Sequence, residues 1–263
     1  MKPQITPITQ IIYVFIKRFR INTNFLSSKL LSVFICDICG YFFRLMKQLS
    51  SYTHLFFDLD GTLTESAPGI INSARYALAQ YGITDIPDSS LRKFIGPPLM
   101  DSFQEFFGFS PEKAREAMKK YREYFAEKGL FENSVYPGIR ESLTALKSQG
   151  RKLFVATSKP EIYTNRILEK FELTHFFEFV GGADIEETRS EKAKIIEHVI
   201  KSAGLESQVQ AGQILMIGDR KHDIIGAHKN KIPCCAVLWG YGNLEEFKEN
   251  AADFVIEKPA ELI

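Results

Sequence analysis

From Thr53 onward, short apolar runs alternate with longer amphipathic stretches. The first run, His54–Leu59 (H-L-F-F-D-L), has the length and apolarity of a strand buried on both faces, and it ends in acids. The period then lengthens. Gly69–Tyr81 puts Ile70, Ala74, Ala77, Leu78 and Tyr81 on one side of a helix, and Leu99–Phe107 and Glu112–Lys128 read as two more. Ser110-Pro111 supplies an N-cap followed by proline at the first helical position. No strand signal occurs between Leu63 and Ser134, so this block is expected to be purely helical.

Alternation resumes after Tyr136-Pro137-Gly138. Helices are predicted at Ile139–Gln149 (closed by Gly150), Glu161–Phe171, Glu191–Ala203 and Asp223–Asn230. Strands are predicted at Lys152–Ala156, Phe177–Val180, Ile214–Ile217, Cys234–Leu238 and Phe254–Ile256. Such repetition gives an α/β fold: a doubly wound, parallel, Rossmann-like sheet with helices on both faces. The helical block interrupts it after the first strand, as an inserted all-helical domain. The division places 46–65 and 135–263 in the α/β core and 66–134 in the insert.

Residues 1–45 do not share this pattern. They contain no Ala and no Glu, and hold six basic residues against one acid. The whole chain carries +1, so the segment is +5 and the remainder −4. The apolar run around Leu30–Cys36 is broken by Asp37 and falls short of the ~20 residues that span a bilayer. Lys17, Arg18 and Arg20 interrupt the apolar residues and no Ala-x-Ala follows, which is unlike a secretory signal. Three readings stay open: a basic amphipathic segment at a membrane surface, a targeting extension, or translated AT-rich DNA upstream of a start at Met46. Composition favours the third. The near-zero net charge gives no field for a nucleic-acid polymer.

Cys36 and Cys39 form a lone C-x-x-C without a second pair, a weak metal or redox signal. Cys234 and Cys235 are adjacent in an apolar run, so they point to opposite faces of a strand and read as core residues in a reducing compartment. A cytoplasmic monomer or homodimer, with no membrane partner, is expected.

Ligands of an open parallel sheet bind beyond the carboxyl ends of its strands. There the sequence places Asp58-Leu59-Asp60-Gly61-Thr62, then Thr157-Ser158-Lys159, then Gly218-Asp219 with Asp223 four residues on. Carboxylates this close repel and need a cation or a raised pKa. Mg²⁺, which takes carboxylate oxygens together with water and phosphate, resolves the repulsion. A solvated acidic turn explains one such pair, but not acids at successive strand ends. Taken singly, Thr157 also fits a helix cap, Lys192 a solvated helix start, and Asp223 a cap or dipole partner. Lys159 is a further candidate for phosphate; Arg220, Lys221 and His222 read as a solvated basic loop.

These residues resemble the haloacid dehalogenase superfamily: Asp58-Leu59-Asp60-Gly61-Thr62 its first motif, Thr157 its second, Lys192 its third, and Gly218-Asp219-x-x-x-Asp223 its fourth. The helical block is similar to the family's cap. D-G-T-L-T-E-S-A-P-G-I, G-P-P-L and Y-P-G-I look like the phosphoglycolate phosphatase branch, with Glu65 where many members have Asp. The resemblance implies a Mg²⁺-dependent phosphatase. Asp58 is then the nucleophile and Asp60 the general acid–base, with Thr157 and Lys192 also catalytic. Gly61, Thr62 and Ser158 are then substrate-binding. The metal is held by Asp58, Asp219, Asp223 and the carbonyl of Asp60. The substrate is a small phosphorylated metabolite such as phosphoglycolate, a nucleoside monophosphate or a sugar phosphate; a phosphomutase of the same fold is the alternative. Selectivity is expected in the turn Gly96–Leu99, with Arg92 or Lys93 beside it.

Overall fold

The architecture follows from one strand buried on both faces. β1 (His54–Phe57) lies at the middle of a six-stranded parallel sheet, between β4 (Lys152–Pro160) and β6 (Ile214–Gly218). Beyond β4 is β5 (Phe177–Ala183); beyond β6 are β7 (Cys234–Val237) and β8 (Phe254–Ile256). This is a computed structural model describing residues 49–185 and 188–263. Segment 1–45, with Cys36 and Cys39, lies outside the described residues.

Period-two alternation divides the sheet's side chains between two layers. Phe56, Phe154, Met216, Cys234 and Ala236 pack with Ile195, Ile196 and Val199 of α7 (Lys192–Ala203) and Ile224 of α9 (Lys221–Lys229). Leu55, Phe57, Val155, Ile217 and Cys235 are buried in the other layer, where α5 (Ile139–Ser148) and α6 (Glu161–Lys170) meet β4. Cys234 and Cys235 are both buried and free.

Four α-helices lie in the insert, residues 66–134: α1 (Ala67–Ala79), α2 (Asp88–Leu91), α3 (Leu99–Phe107) and α4 (Pro111–Glu127). α4 packs on α1 and α3, and Phe94, Phe103, Phe107 and Phe109 form an aromatic centre. Ser110 caps α4, its hydroxyl accepting from the Lys113 amide.

The block between Leu63 and Ser134 is not purely helical. β2 (Thr64–Glu65) and β3 (Ser134–Val135) pair antiparallel where the chain leaves the sheet and where it returns. Two residues are too few to show a period, and their pairing spans the whole insert. Sequence pattern likewise misses α2, α8 (Glu206–Gln210) and α10 (Leu244–Glu249), each close to one or two turns long. Among the described residues no helix is long and apolar enough to cross a membrane.

Candidate active site

Strand register brings the acids together. Phe57 stands beside Val155 and Ile217, so Asp58 emerges one residue past the first, and Thr157 and Asp219 two past the others. The Asp58 amide donates to the Ile217 carbonyl (2.9 Å) and extends the ladder to Asp58 itself. Gly61 then reverses the chain at φ +84°; a Cβ there would lie 2.1 Å from Asp219 Oδ2. Both the conformation and the space require glycine.

Asp58, Asp219 and Asp223 each offer one oxygen, and these lie within 4.8 Å of one another. Lys192, at the start of α7, enters from below. Its Nζ is 2.8 Å from Asp58 Oδ1, 2.8 Å from Asp223 Oδ1 and 3.0 Å from the Ala156 carbonyl, which occupies its three donors. Burial alone would lower its pKa, but Asp223 and Asp58 more than offset that and hold it above the usual lysine value. Asp219 is fully buried, accepting from the Tyr241 amide at Oδ2 (2.8 Å) and from the Thr62 hydroxyl at Oδ1 (3.3 Å). Burial, then Asp223 and Asp58, push its carboxyl well above the ordinary range. Asp223 caps α9 by accepting from the Arg220 amide (3.1 Å), and is pushed to about 6 by burial and by Asp58, against the pull of Lys192. Three buried carboxylates thus face one buried lysine. A hard divalent cation with oxygen preference fits that donor set and its uncompensated charge.

Asp60 stands apart from this cluster. Its Oδ2 pairs with Lys159 Nζ at 2.9 Å, and its Oδ1 is buried without a hydrogen-bond partner. Thr157 is buried, its hydroxyl accepting from the Lys159 amide (3.2 Å), and Ser158 is half-buried beside it. These residues, with Asp58 and Lys192, form one wall of a cleft. Gly61 and Thr62, read as substrate-binding, are absent from the cleft lining; both are buried beneath it and shape the seat of Asp219.

The opposite wall comes from the insert: Phe94, Ile95, the turn Gly96–Leu99, Tyr121, Arg122 and Phe125. Arg92 and Lys93 are exposed and line a second cavity instead. The basic loop after Asp219 is not simply solvated. Arg220 donates from Nε to Glu246 (3.1 Å) and from Nη1 to the Ile95 carbonyl (2.9 Å), tying core to insert. His222 lines the cleft, its pKa lowered by burial and then by Arg220; only Lys221 is exposed.

Sequence reasoning did not single out Tyr241. Its hydroxyl accepts from the Ser66 and Ala67 amides (2.9 Å each) and donates to Glu65 Oε1 (3.1 Å). Ser66 makes no side-chain cap of its own, so a core tyrosine caps the first helix of the insert. Glu65 Oε2 accepts from Tyr136, on the returning connection (2.9 Å). The signal available was the unusual Glu65 between two connections, but its partners are remote in sequence.

Comparison with known proteins gives a consistent family. A model described as haloacid dehalogenase-like hydrolase matches residues 55–237. A 5'-nucleotidase of Pseudomonas aeruginosa is 41% identical over 197 residues, 75% of this chain and 87% of that protein. The tyrosine-protein kinase PtkA of Mycobacterium tuberculosis is 36% identical over 192 residues, 73% of this chain and 64% of that protein. The crystal structure of a predicted phosphatase from Clostridium acetobutylicum is 43% identical with a TM-score of 0.76, covering 80% of this chain and 96% of that one.

Proposed function

Because the chain belongs to the haloacid dehalogenase-like hydrolase family, we propose that it hydrolyses a small phosphomonoester through an aspartyl-phosphate on Asp58. One observation carries this reading: two carboxylates on one cleft wall have different partners, Asp58 beside the acid cluster and Asp60 outside it with one bare oxygen.

The division of labour follows from those partners. Asp58 Oδ1 accepts from the Leu59 amide and pairs with Lys192 (2.8 Å each). Oδ2 takes neither bond, and is the oxygen that attacks phosphorus. As the Asp58–phosphorus bond forms, the ester bond breaks and Asp60 gives its proton to the departing oxygen. Asp60 then takes a proton from water, whose oxygen displaces Asp58 and releases inorganic phosphate. Lys192 offsets charge on Asp58, and the Thr157 and Ser158 hydroxyls donate to phosphate oxygens. Mg²⁺ would be held by Asp58, Asp219, Asp223 and the Asp60 carbonyl, and would supply charge neutralisation for the bound phosphate.

The helical insert, about 66–134, acts as a cap that closes over the substrate, on a core of 46–65 and 135–263. Its aromatic wall and the 41% identity to a 5'-nucleotidase favour a nucleoside monophosphate over phosphoglycolate or a sugar phosphate. Two free, buried cysteines suit the reducing cytoplasm.

The test is phosphate release from a panel of phosphomonoesters with Mg²⁺, with excess chelator, and with Mg²⁺ restored. Steady release that stops on chelation supports the proposal, as does fastest turnover of a nucleoside monophosphate. Full activity in chelator removes the metal from it. A requirement for a bisphosphate activator, with no net phosphate released, assigns a mutase instead.

A further inference from the structure

β4 outlasts its apolar run. It continues through Thr157-Ser158-Lys159 to Pro160, with an irregular register against β5 between Ala156 and Pro160. Irregularities of this kind re-aim side chains, often beside active sites. Gly182 on β5 permits this one, since a Cβ there would lie 2.7 Å from the Lys159 carbonyl oxygen and force β4 outward. Lys159 is thereby buried to 9% exposure, unusual for a lysine unless it is paired.

Its ammonium has two neighbours from different parts of the molecule. Asp60 Oδ2 is at 2.9 Å, in the core. The centre of the Phe125 ring, on α4 of the cap, is at 4.5 Å. Phe125 is itself held edge-on by Tyr163 of α6 (5.3 Å between centres) and stacked on Tyr121 (5.6 Å). Asp60 therefore has one oxygen fixed by a lysine under an aromatic lid, and the other buried and bare.

We propose that Lys159 is a positioning residue. It pins one oxygen of Asp60 so that the other meets the leaving-group oxygen, and Phe125 completes its seat only when the cap is closed. The inference rests on the reading of Asp60 as general acid. A carboxyl group free to rotate wastes most of its orientations, whereas one whose Oδ2 is tied to a desolvated ammonium presents Oδ1, which carries the proton, in a fixed direction for transfer. Cation–π attraction strengthens as water leaves, so opening the cap removes the ring, wets the ion pair and loosens Asp60. Proton donation is then coupled to closure. Lys192 cannot serve this purpose, because its donors are spent on Asp58, Asp223 and the Ala156 carbonyl.

The rival role for Lys159 is direct phosphate binding, and leaving-group dependence separates the two. A 4-nitrophenolate departs almost without a proton, but an alkoxide needs one. Measurement is of kcat/KM, which reports the first displacement, on 4-nitrophenyl, phenyl and alkyl phosphates. Lys159→Met should cost ~10²-fold on the alkyl ester and under ~10-fold on the nitrophenyl ester, as expected for mispositioned general-acid catalysis. Lys159→Arg should recover much of the alkyl-ester loss. Phe125→Leu should show the same slope with a smaller loss, and keeps the inference open to refutation if Lys159→Met does not fold. Asp60→Asn supplies the reference. A steep dependence for Asp60→Asn with an equal loss on all esters for Lys159→Met and Phe125→Leu overturns the positioning role alone. A flat response from Asp60→Asn as well refutes the general-acid reading, and the inference falls with it.

Discussion

The two walls of the cleft are built on opposite plans. The core wall concentrates charge: Asp58, Asp219, Asp223, Lys159 and Lys192 are all buried and held by named partners, Asp58, Lys159 and Asp219 at strand ends and Lys192 and Asp223 in the first turns of the helices beside them. The cap wall is aromatic and apolar, with Arg122 as its charged side chain at the cleft. Charge that must act on phosphorus has to be preorganised, and strand ends are rigid enough to do it. A surface that recognises the rest of the substrate can sit on helices that move. Variants of the two walls should therefore fail in different ways.

The largest effect belongs to the core wall. Asp58→Asn removes the attacking oxygen while keeping the side chain's size, and Lys192 retains its pair with Asp223. Turnover should fall by more than ~10³-fold, with the thermal midpoint preserved. Steady-state rates and a melting curve on the same preparation check this, and near wild-type turnover excludes the covalent route.

Asp219→Asn separates chemistry from stability. Asp219 is raised by burial, Asp223 and Asp58, so ionising it opposes folding when no cation is bound. An acid whose folded pKa exceeds its unfolded one loses stability as pH rises from the ordinary carboxylate range to the folded value; for Asp223 that window closes at about 6. Asparagine can still accept from the Tyr241 amide and can donate to Thr62. The chelator-treated variant should be more stable than wild type by roughly 1–4 kcal/mol at neutral pH, with a flatter acid dependence. It should also lose activity and the Mg²⁺-induced rise in melting temperature. Chemical denaturation with and without Mg²⁺ gives both quantities; a less stable variant means the acid cluster is not under repulsion.

Tyr241→Phe probes the pivot between the walls. Removing the hydroxyl strands the Ser66 and Ala67 amides and one oxygen of Glu65. The expected cost is about 1–3 kcal/mol of stability. The backbone amide that holds Asp219 remains, so the rate should change less than the melting point.

The same contrast explains what was legible in the sequence. The core wall was readable because buried parallel strands are apolar runs, and the acids lie where those runs stop. Asp58 and Asp219 needed only strand order and register to meet, whereas Lys192, at the start of a helix, was singled out by the family resemblance. The cap's helices were readable from their period, but not their orientation: Arg92 and Lys93 turn to a second cavity, while Tyr121, Arg122 and Phe125 of α4 face the cleft. Hydrophobic period marks which side of a helix is buried, not which buried residue borders a cavity. Contacts between distant segments left no local trace. The pairing of β2 with β3, the tie from Arg220 to Ile95 and the capping of α1 by Tyr241 each depend on residues tens to hundreds of positions apart. Lys159 was visible as a candidate, but its pairing with Asp60 depends on a strand irregularity that composition does not encode.

The smallest effect should come from the cap wall's own charge. Arg122 is half-buried on α4 and lines the cleft together with Thr157-Ser158-Lys159. In the proposed function the cap side of the cleft takes the part of the substrate that differs from ester to ester, and Arg122 would meet that part rather than the phosphorus. A hydrogen bond from a charged donor contributes about 1.5–3 kcal/mol, so Arg122→Met should lower kcat/KM by about 10–100-fold for substrates with a polar or anionic leaving group. For 4-nitrophenyl phosphate, which offers that guanidinium little, the change should stay within about threefold, close to the scale of exposed-pair effects. Ranking the same panel with wild type and Arg122→Met reads the difference directly. A uniform loss on every ester would place Arg122 with the phosphate-handling charges. No change anywhere would leave selection to the aromatic residues Phe94, Tyr121 and Phe125 and to the shape of the turn Gly96–Leu99.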